Sequence, residues 1–174
     1  MSNTVKYIPG KGSLKSRIIL VGEAPGSDED RAGEPFVGRS GHMLTTMLSY
    51  VGLTRADVYL TNVIKVRPTN NRKPSDDEIA SWVPLLRSEL WAAVQKDVLT
   101  IALGSVAAKA LMGRNYNGLP DARGKILTTL PGIANLLVTY HPAYLLRSPK
   151  AKEAVGDDLE MVKEFRLTQR KRHT

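Results

Sequence analysis

The loop at residues 21–41 combines several glycines with two side chains that suit ligand binding. Glycine lets the backbone approach a bound group closely, Glu23 offers a carboxylate, and Phe36 offers an aromatic face. Gly, Pro and Asp also build ordinary surface loops, but a loop of this length without secondary structure is uncommon unless it is functional. The loop therefore predicts a ligand site. Its glycines are Gly22, Gly26, Gly33, Gly38 and Gly41.

The amide of Asn62 lies in the apolar run at residues 58–63. A polar side chain in a buried strand is expected to have a hydrogen-bonding partner. The amide donor and acceptor match the O4 acceptor and the N3–H donor of uracil, whereas cytosine presents the opposite pattern. The alternative is that Asn62 caps a turn, and a lone asparagine favours that alternative.

A basic segment follows Asn62 and contains Lys65, Arg67, Arg72 and Lys73, together with prolines that limit its flexibility. Arginine and lysine in a stiff loop predict a clamp that holds nucleic-acid phosphates. The alternative is a solvated basic loop without a partner.

A histidine–proline pair, His141-Pro142, follows the apolar run at residues 136–140. The proline holds the imidazole at the end of a strand, and Leu145, Leu146 and Arg147 could enter a duplex to fill the gap left by an extruded base. An isolated histidine is more often structural, and only its neighbours favour a functional His141.

A strand-to-helix turn at Gly104 and Ser105 is the last candidate. Its backbone amides could hold a phosphate. Glycine is common at such turns, so the turn is weak evidence by itself.

The elements that position these residues alternate between apolar strands and amphipathic helices. Ser75 and Glu78 have the spacing of a capping box, and the helix that follows has Trp82 on its apolar face. The alternation predicts an α/β fold with a parallel sheet covered on both faces, and ligands bind at the carboxyl edge of such sheets. The predicted strands are residues 17–21, 58–63, 98–103 and 136–140, with a short extra strand at 125–129; the predicted helices are residues 43–51, 75–95, 106–112 and 150–165.

Length and composition predict one domain over residues 1–174, with flexible ends at 1–12 and 168–174. The net charge of +8 favours a polyanionic partner, with nucleic acid ahead of an acidic membrane surface. The chain has no cysteine, which excludes disulfides and cysteine-ligated zinc or iron–sulfur centres. Without a membrane-length apolar segment or a signal-peptide pattern, we expect a soluble cytoplasmic protein, with a nuclear or organellar location as the alternative.

Together these segments resemble the uracil-DNA glycosylase superfamily, and most closely its family 4, whose members usually carry an iron–sulfur cluster. The matching segments follow the order and spacing of that family over nearly the whole chain. Each motif alone is weak evidence, but all of them in order are strong evidence. They lie at residues 22–26, 33–38, 61–62, 65, 67–68, 71–72 and 141–142.

The resemblance implies a three-layer α/β/α sandwich with a central four-stranded, mostly parallel sheet. It also implies hydrolysis of the N-glycosidic bond of deoxyuridine in DNA, which releases uracil and leaves an abasic site. In this reaction Phe36 stacks on the flipped uracil and Asn62 reads its Watson–Crick edge. His141 bonds O2, where charge accumulates as the base departs. Glu23 orients or activates water and stabilises the cationic sugar.

Further site residues and partners follow from the same resemblance. The partner is uracil-containing DNA, single- or double-stranded, and we expect a monomer that requires no metal, organic cofactor or membrane. Gly22 and Ala24 complete the implied uracil pocket, and the implied DNA contacts are Lys65, Arg67, Asn71, Arg72, Lys73, Gly104, Ser105, Pro142, Leu145, Leu146 and Arg147.

The chain departs from family 4 at its cluster ligands. The N-terminal cysteine pair has no counterpart, and Val66 and Trp82 occupy the other two positions, so no iron–sulfur cluster is expected. We expect both side chains to pack where a cluster would lie and to join the 65–74 loop to the 75–95 helix. The alternative is that Trp82 is only a core residue of that helix. The loop also has Thr69 in place of a proline and lacks the Arg-Arg-Ile-His insertion of relatives that trap uracil covalently.

Three alternatives to uracil excision remain at this stage. Gly26 stands where another branch of the superfamily has a tyrosine that excludes thymine, so a 5-substituted uracil is an alternative substrate. A catalytically silent DNA-binding or replication-associated protein is the second alternative. The third, a nucleotide or sugar-phosphate hydrolase, is disfavoured because the chain has no Walker-type lysine and no clustered metal-binding carboxylates.

Overall fold

Six strands form one mixed sheet in the computed structural model, which describes residues 4–13, 15–128 and 130–172. The four longer strands are neighbours and pair in parallel, while a two-residue strand adds an antiparallel edge on each side. The α/β fold is confirmed, but the four-stranded sheet is corrected to six strands. In spatial order the strands are β1 (Lys11–Gly12), β3 (Tyr59–Asn62), β2 (Ile18–Gly22), β4 (Leu99–Leu103), β6 (Leu136–Thr139) and β5 (Ile126–Leu127).

Helices cover both faces of this sheet. The core of one face is built with α3, α4 and α5, and the core of the other with α2, α6 and α7, which gives the predicted three layers. The helices are α1 (Ser27–Ala32), α2 (Arg39–Tyr50), α3 (Asp76–Glu89), α4 (Ser105–Met112), α5 (Leu119–Ala122), α6 (Pro142–Arg147) and α7 (Ala151–Arg172).

The apolar runs stay buried on both sides because successive strand residues point to opposite faces. In β2, Ile19 and Val21 pack against one helical layer, and Ile18 and Leu20 pack against the other. Every residue of the four parallel strands is buried, which explains why these segments read as continuous apolar runs in the sequence.

The strand register determines which residues meet at the carboxyl edge. Gly22 pairs with Asn62, and Leu103 pairs with Thr139. The residues that follow these strands, Glu23 and Gly104 among them, therefore emerge side by side at one edge of the sheet.

The predicted helix boundaries are close to those observed, and the two ends of the chain are more regular than predicted. The Ser75 side chain accepts a hydrogen bond from the Glu78 N–H, so the capping box at the start of α3 is present. At the amino end β1 pairs with β3, and at the carboxyl end α7 continues to Arg172. Residues 1–3, 173 and 174 lie outside the described residues.

None of the helices in the described part of the chain combines the length and the apolarity that crossing a membrane requires.

Trp82 lies half-buried on α3, and Val66 packs against the same core cluster. The Tyr7 ring lies beside the indole, with 6.4 Å between ring centroids. Ile8 donates its N–H to the carbonyl of Lys65, 2.7 Å away. The N-terminal segment therefore lies between the basic loop and α3, while direct contact between Val66 and Trp82 stays a prediction.

Replacing Trp82 by Ala is expected to lower the free energy of unfolding by about 3 kcal/mol, because the indole fills space against the core. Urea denaturation measures this change. Trp91, which is 75% exposed, provides the matched control, and Trp91→Ala is expected to change stability by less than about 0.5 kcal/mol. Equal effects of the two substitutions would contradict a packing role for Trp82.

Candidate active site

A buried carboxylate, that of Glu29, organises the glycine-rich loop. It accepts hydrogen bonds from the backbone N–H groups of Gly26, Val37 and Gly38 at 3.1, 2.9 and 2.8 Å. Glu29 belongs to α1, a helix inside the loop that the sequence did not predict. Charge-assisted bonds of this kind are stronger than neutral ones, so they hold both ends of the loop together.

The backbone of Phe36 adopts a left-handed conformation, with φ of 57°. This region is unfavourable for a bulky residue and is found mainly where the surrounding structure imposes it. Gly41 makes the turn possible, because a Cβ at that position would lie 1.9 Å from the Phe36 carbonyl oxygen. The loop thereby directs the Phe36 ring inward, and the residue is only 5% exposed.

Phe36 and Asn62 pack closely over Gly22, where their side chains occupy the volume that a Cβ would need. A Cβ added to Gly22 would lie 2.4 Å from Cζ of Phe36 and 2.5 Å from Oδ1 of Asn62. Asn62 is 5% exposed, and none of the side-chain hydrogen bonds found among the described residues involves its amide. The structure thus brings an aromatic ring and an available amide to the same end of β2 and β3.

The His141 ring lies beside the Phe36 ring, with 6.2 Å between the ring centroids. Its Nδ1 accepts a hydrogen bond from the Ala143 N–H at 3.1 Å, which leaves the proton on Nε2. Burial, aided by the charge of Arg147, lowers the pKa of His141 to about 4. The imidazole is therefore a neutral hydrogen-bond donor at neutral pH. Gly104 leaves room for it, because a Cβ there would lie 3.0 Å from Cβ of His141.

Glu23 follows Gly22 and lines a cavity of about 470 Å³ together with His141. Burial raises the pKa of the Glu23 carboxyl above its ordinary value, while Lys73 and Arg147 act in the opposite direction. These two cations therefore lie near the carboxylate. The remaining lining residues are Ala24, Gly104, Ser105, Leu119, Tyr140, Ala143, Tyr144 and Arg147.

The predicted DNA contacts on the basic loop are mostly exposed, and several are already paired. Arg72 makes two hydrogen bonds to the Glu78 carboxylate, at 2.6 and 2.7 Å. Arg67 donates from Nε to the Asn71 side chain at 2.8 Å. Lys73 is exposed, and its charge acts to lower the pKa of the Glu23 carboxyl. Apart from the buried Lys65, the loop presents its charges towards the surface, and Lys73 lies near the cavity residue Glu23.

Lys65 does not belong to that surface, and its prediction as a DNA contact is wrong. Its side chain is 1% exposed and forms an ion pair with Glu89 and a hydrogen bond with Thr61. Glu89 also accepts hydrogen bonds from the hydroxyls of Tyr59 and Thr61, at 2.7 and 2.8 Å. The ammonium is therefore occupied inside the protein, where it connects the loop after β3 to the end of α3.

The His-Pro segment also differs in part from its prediction. Pro142 and Leu145 are buried, and Leu145 packs in the core with α2 and α7, so the predicted DNA contacts of both residues are wrong. Leu146 is 38% exposed, and Arg147 is exposed beside the cavity. Of the residues predicted to enter a duplex, Leu146 and Arg147 are exposed, and for them this role stays a prediction.

Sequence reasoning missed Glu29 and two tyrosines of the cavity, Tyr140 and Tyr144. Glu29 lies between other acidic residues of the loop, and the sequence does not show which of them is buried. The tyrosines carried a visible signal, because they flank the His-Pro pair at a spacing of four residues.

The residues at the family's cluster positions do not fit an iron–sulfur cluster. Such clusters are held by cysteine thiolates, and the chain contains none. Val66 and Trp82 contribute apolar surface to the core instead of ligands. In the described residues, no group of three or more His, Cys, Asp or Glu side chains is placed to hold a metal ion.

Comparison with known proteins assigns the family. The model of the uracil DNA glycosylase superfamily matches residues 9–164. The type-4 uracil-DNA glycosylase of Pyrobaculum aerophilum is 43% identical over 159 residues, covering 88% of this chain and 80% of that protein. The type-4 enzyme of Thermotoga maritima is 38% identical over 165 residues, covering 94% and 84%. The chain therefore belongs to the uracil-DNA glycosylase superfamily.

Two further similarities extend this result. A DNA polymerase of Bacillus phage SP01 is 31% identical over 158 residues, which span 90% of this chain but 16% of the polymerase. The crystal structure of Pedobacter heparinus SMUG2 superposes with a TM-score of 0.55 at 15% identity, over 92% of this chain and 77% of that one. The latter similarity supports the fold alone.

Replacing Lys65 by Met is expected to lower the free energy of unfolding by about 3–5 kcal/mol, because the Glu89 carboxylate loses its counter-charge. Replacing Glu89 by Gln in the same protein should recover most of that loss, since no uncompensated charge remains. Chemical denaturation measures both.

The matched control is Lys109→Met, which breaks the exposed Lys109–Asp76 ion pair and should cost no more than about 1 kcal/mol. A loss of stability from Lys65→Met as small as that of the control would contradict the buried ion pair.

The low pKa of His141, about 4 against an ordinary 6.5, predicts a pH-dependent stability. Between these values the unfolded chain binds a proton that the folded protein excludes, so stability is present above pH 6.5 and is lost as the pH falls toward 4. His141→Gln should remove up to about 1.4 kcal/mol per pH unit from this slope. Denaturation of both proteins across this interval measures it, and identical slopes would refute the neutral imidazole.

Proposed function

We propose that this protein is a monofunctional uracil-DNA glycosylase, which hydrolyses the N-glycosidic bond of deoxyuridine in DNA and leaves an abasic site. The observation that carries the proposal is the convergence of three side chains: Phe36 and Asn62 meet over Gly22, and the His141 ring lies 6.2 Å from the Phe36 ring. The similarity to type-4 uracil-DNA glycosylases supports the same substrate. The protein acts as a monomer on uracil-containing DNA.

Recognition begins when the uracil leaves the base stack and enters the site formed by Phe36, Asn62 and His141. Phe36 stacks on its face, and the Asn62 amide donates to O4 and accepts from N3–H. Cytosine presents the reversed pattern and would leave the amide of this buried residue unpaired, a cost of about 1–3 kcal/mol. Ala24 and the backbone of Gly22 complete the pocket.

Cleavage requires stabilisation of the departing uracil anion. His141 donates from Nε2 to O2, the oxygen on which the charge develops. A neutral donor held by the Ala143 N–H needs no proton transfer and no reorientation during the reaction. Loss of such a donor typically lowers the rate about a hundred- to a thousandfold.

Glu23 serves the other half of the reaction. Its carboxylate faces the sugar from the cavity wall, stabilises the positive charge that develops there, and orients the water that attacks it. Its raised pKa, caused mainly by burial, suits a group that interacts with a proton of that water. Arg67, Arg72, Lys73 and Arg147 hold the flanking phosphates, and Arg72 exchanges Glu78 for phosphate when DNA binds.

Oligonucleotides that contain uracil, 5-hydroxymethyluracil or thymine, treated with alkali after incubation, test the proposal. The wild-type protein is expected to cut at uracil without added metal. Asn62→Asp should reduce uracil excision strongly, because a carboxylate faces the O4 acceptor. His141→Ala should lower the single-turnover rate about a hundred- to a thousandfold with little change in DNA affinity.

His42 on α2 is exposed, and His42→Ala serves as the matched control with unchanged activity. Intact uracil-containing DNA after incubation with the wild-type protein would overturn the proposal and leave a silent DNA-binding protein. Cleavage at 5-hydroxymethyluracil in preference to uracil would reassign the substrate to a 5-substituted base.

A further inference from the structure

Two tyrosines form a stack at the wall of the cavity that contains Glu23 and His141. The rings of Tyr140 and Tyr144 have centroids 4.8 Å apart and an interplanar angle of 21°. Tyr140 is half-buried, whereas Tyr144 at the outer end of the stack is 38% exposed. Both residues line the cavity. The uracil-binding role given above to Phe36 and Asn62 uses neither of them.

A buried network holds the inner ring in place. The guanidinium of Arg123 lies over the Tyr140 ring, 5.2 Å from its centroid. Arg123 is fixed by the fully buried Asp158, at 3.1 Å, and by the carbonyl of Ala154, at 2.7 Å. Asp158 also accepts a hydrogen bond from the Thr139 hydroxyl at 2.7 Å. Arg123 therefore anchors the Tyr140 ring of the stack.

The position of the stack suits a second nucleotide. Tyr140 directly precedes His141, and Tyr144 lies three residues beyond it. Arg147 and Ser105 line the same cavity of about 470 Å³, where a guanidinium and a hydroxyl group offer hydrogen-bond donors to a phosphate. Aromatic rings beside a basic group are the usual means by which proteins bind unpaired bases.

We propose that the Tyr140–Tyr144 stack is a platform for the base of a nucleotide adjacent to the target uracil in the same strand. The inference rests on the proposed glycosylase function, because it places the uracil beside Phe36. The neighbouring base lies on the exposed face of Tyr144, and Arg147 contacts the phosphate between the two nucleotides.

This platform favours single-stranded DNA as the substrate. A base that stacks on Tyr144 has left its partners in the duplex, and unstacking costs least where the strand is already unpaired. Stacking on an aromatic ring tolerates every base, so the platform adds affinity without adding sequence specificity.

The test uses single-stranded oligonucleotides in which the nucleotide on one side of the uracil is replaced by a tetrahydrofuran, which has no base. The replacement is made on one side or on the other, and the complete oligonucleotide is the reference. For the wild-type protein, removal of the base on one side is expected to lower kcat/KM about 10- to 100-fold. Tyr144→Leu should cause a similar loss on the complete oligonucleotide. The same variant should lose little more when the neighbouring base is also absent, because both changes remove one interaction.

Two variants separate stacking from structure. Tyr144→Phe keeps the aromatic face and should retain wild-type kcat/KM. Tyr50→Leu makes the same change as Tyr144→Leu at an exposed tyrosine of α2, outside this cavity, and should leave kcat/KM unchanged. Additive losses from Tyr144→Leu and the baseless neighbour would overturn the platform. The platform would also be overturned if removal of the base on either side left kcat/KM of the wild-type protein unchanged. This measurement needs no variant.

Binding distinguishes failure of the platform from failure of the proposed function. Fluorescence anisotropy with the same oligonucleotides measures the contribution of the neighbouring base whether or not uracil is released. A protein that leaves uracil in place but loses affinity for the baseless oligonucleotides would refute the glycosylase and support the platform. A protein that excises uracil with unchanged affinity for them would refute the platform alone.

Discussion

The carboxylate of Glu29 is the interaction on which the candidate site depends. It binds three backbone N–H groups at the two ends of the glycine-rich loop. Without an acceptor at that position these groups would be left without partners where the loop closes, at a cost of about 1–3 kcal/mol each. Closure of the loop brings Phe36, in its left-handed conformation, against Gly22. The position of the Phe36 ring in the candidate site thus depends on one acidic residue elsewhere in the loop.

The parallel sheet supplies the other constraint. Its register places Gly22 beside Asn62 and brings Gly104 to the same edge as the segment that carries His141. Parallel strands end together at one edge, so three separate stretches of sequence contribute to one cavity. Glycine at 22 and 104 is required because each neighbouring side chain occupies the volume where a Cβ would stand.

Two largely buried ion pairs stabilise the elements around the candidate site. Lys65 and Glu89 connect the segment after β3 to α3, and Arg123 and Asp158 hold the tyrosine stack against α7. Both pairs include further hydrogen bonds, which offset the cost of removing charges from water. On the α3 side, Tyr7 and Trp82 add an aromatic contact. This chain therefore joins its basic loop to α3 through packing and an ion pair.

The sequence by itself located the main strands and helices and selected the residues of the candidate site. Apolar runs located the four parallel strands, the Ser75–Glu78 spacing located the start of α3, and the motifs selected Glu23, Phe36, Asn62 and His141. These features are local, since strand burial and capping depend on residues close together in the chain.

Only the tertiary structure decided which charged and apolar residues face the cavity. Lys65, Pro142 and Leu145 were predicted to contact DNA but are buried, and Glu29, Tyr140 and Tyr144 became part of the candidate site. The edge strand β1 likewise appears only in the fold, because it pairs with β3, which is distant in sequence. A lysine has the same pattern in the sequence whether it faces solvent or a buried carboxylate. Its environment depends on a partner 24 residues away, which only the fold brings into contact.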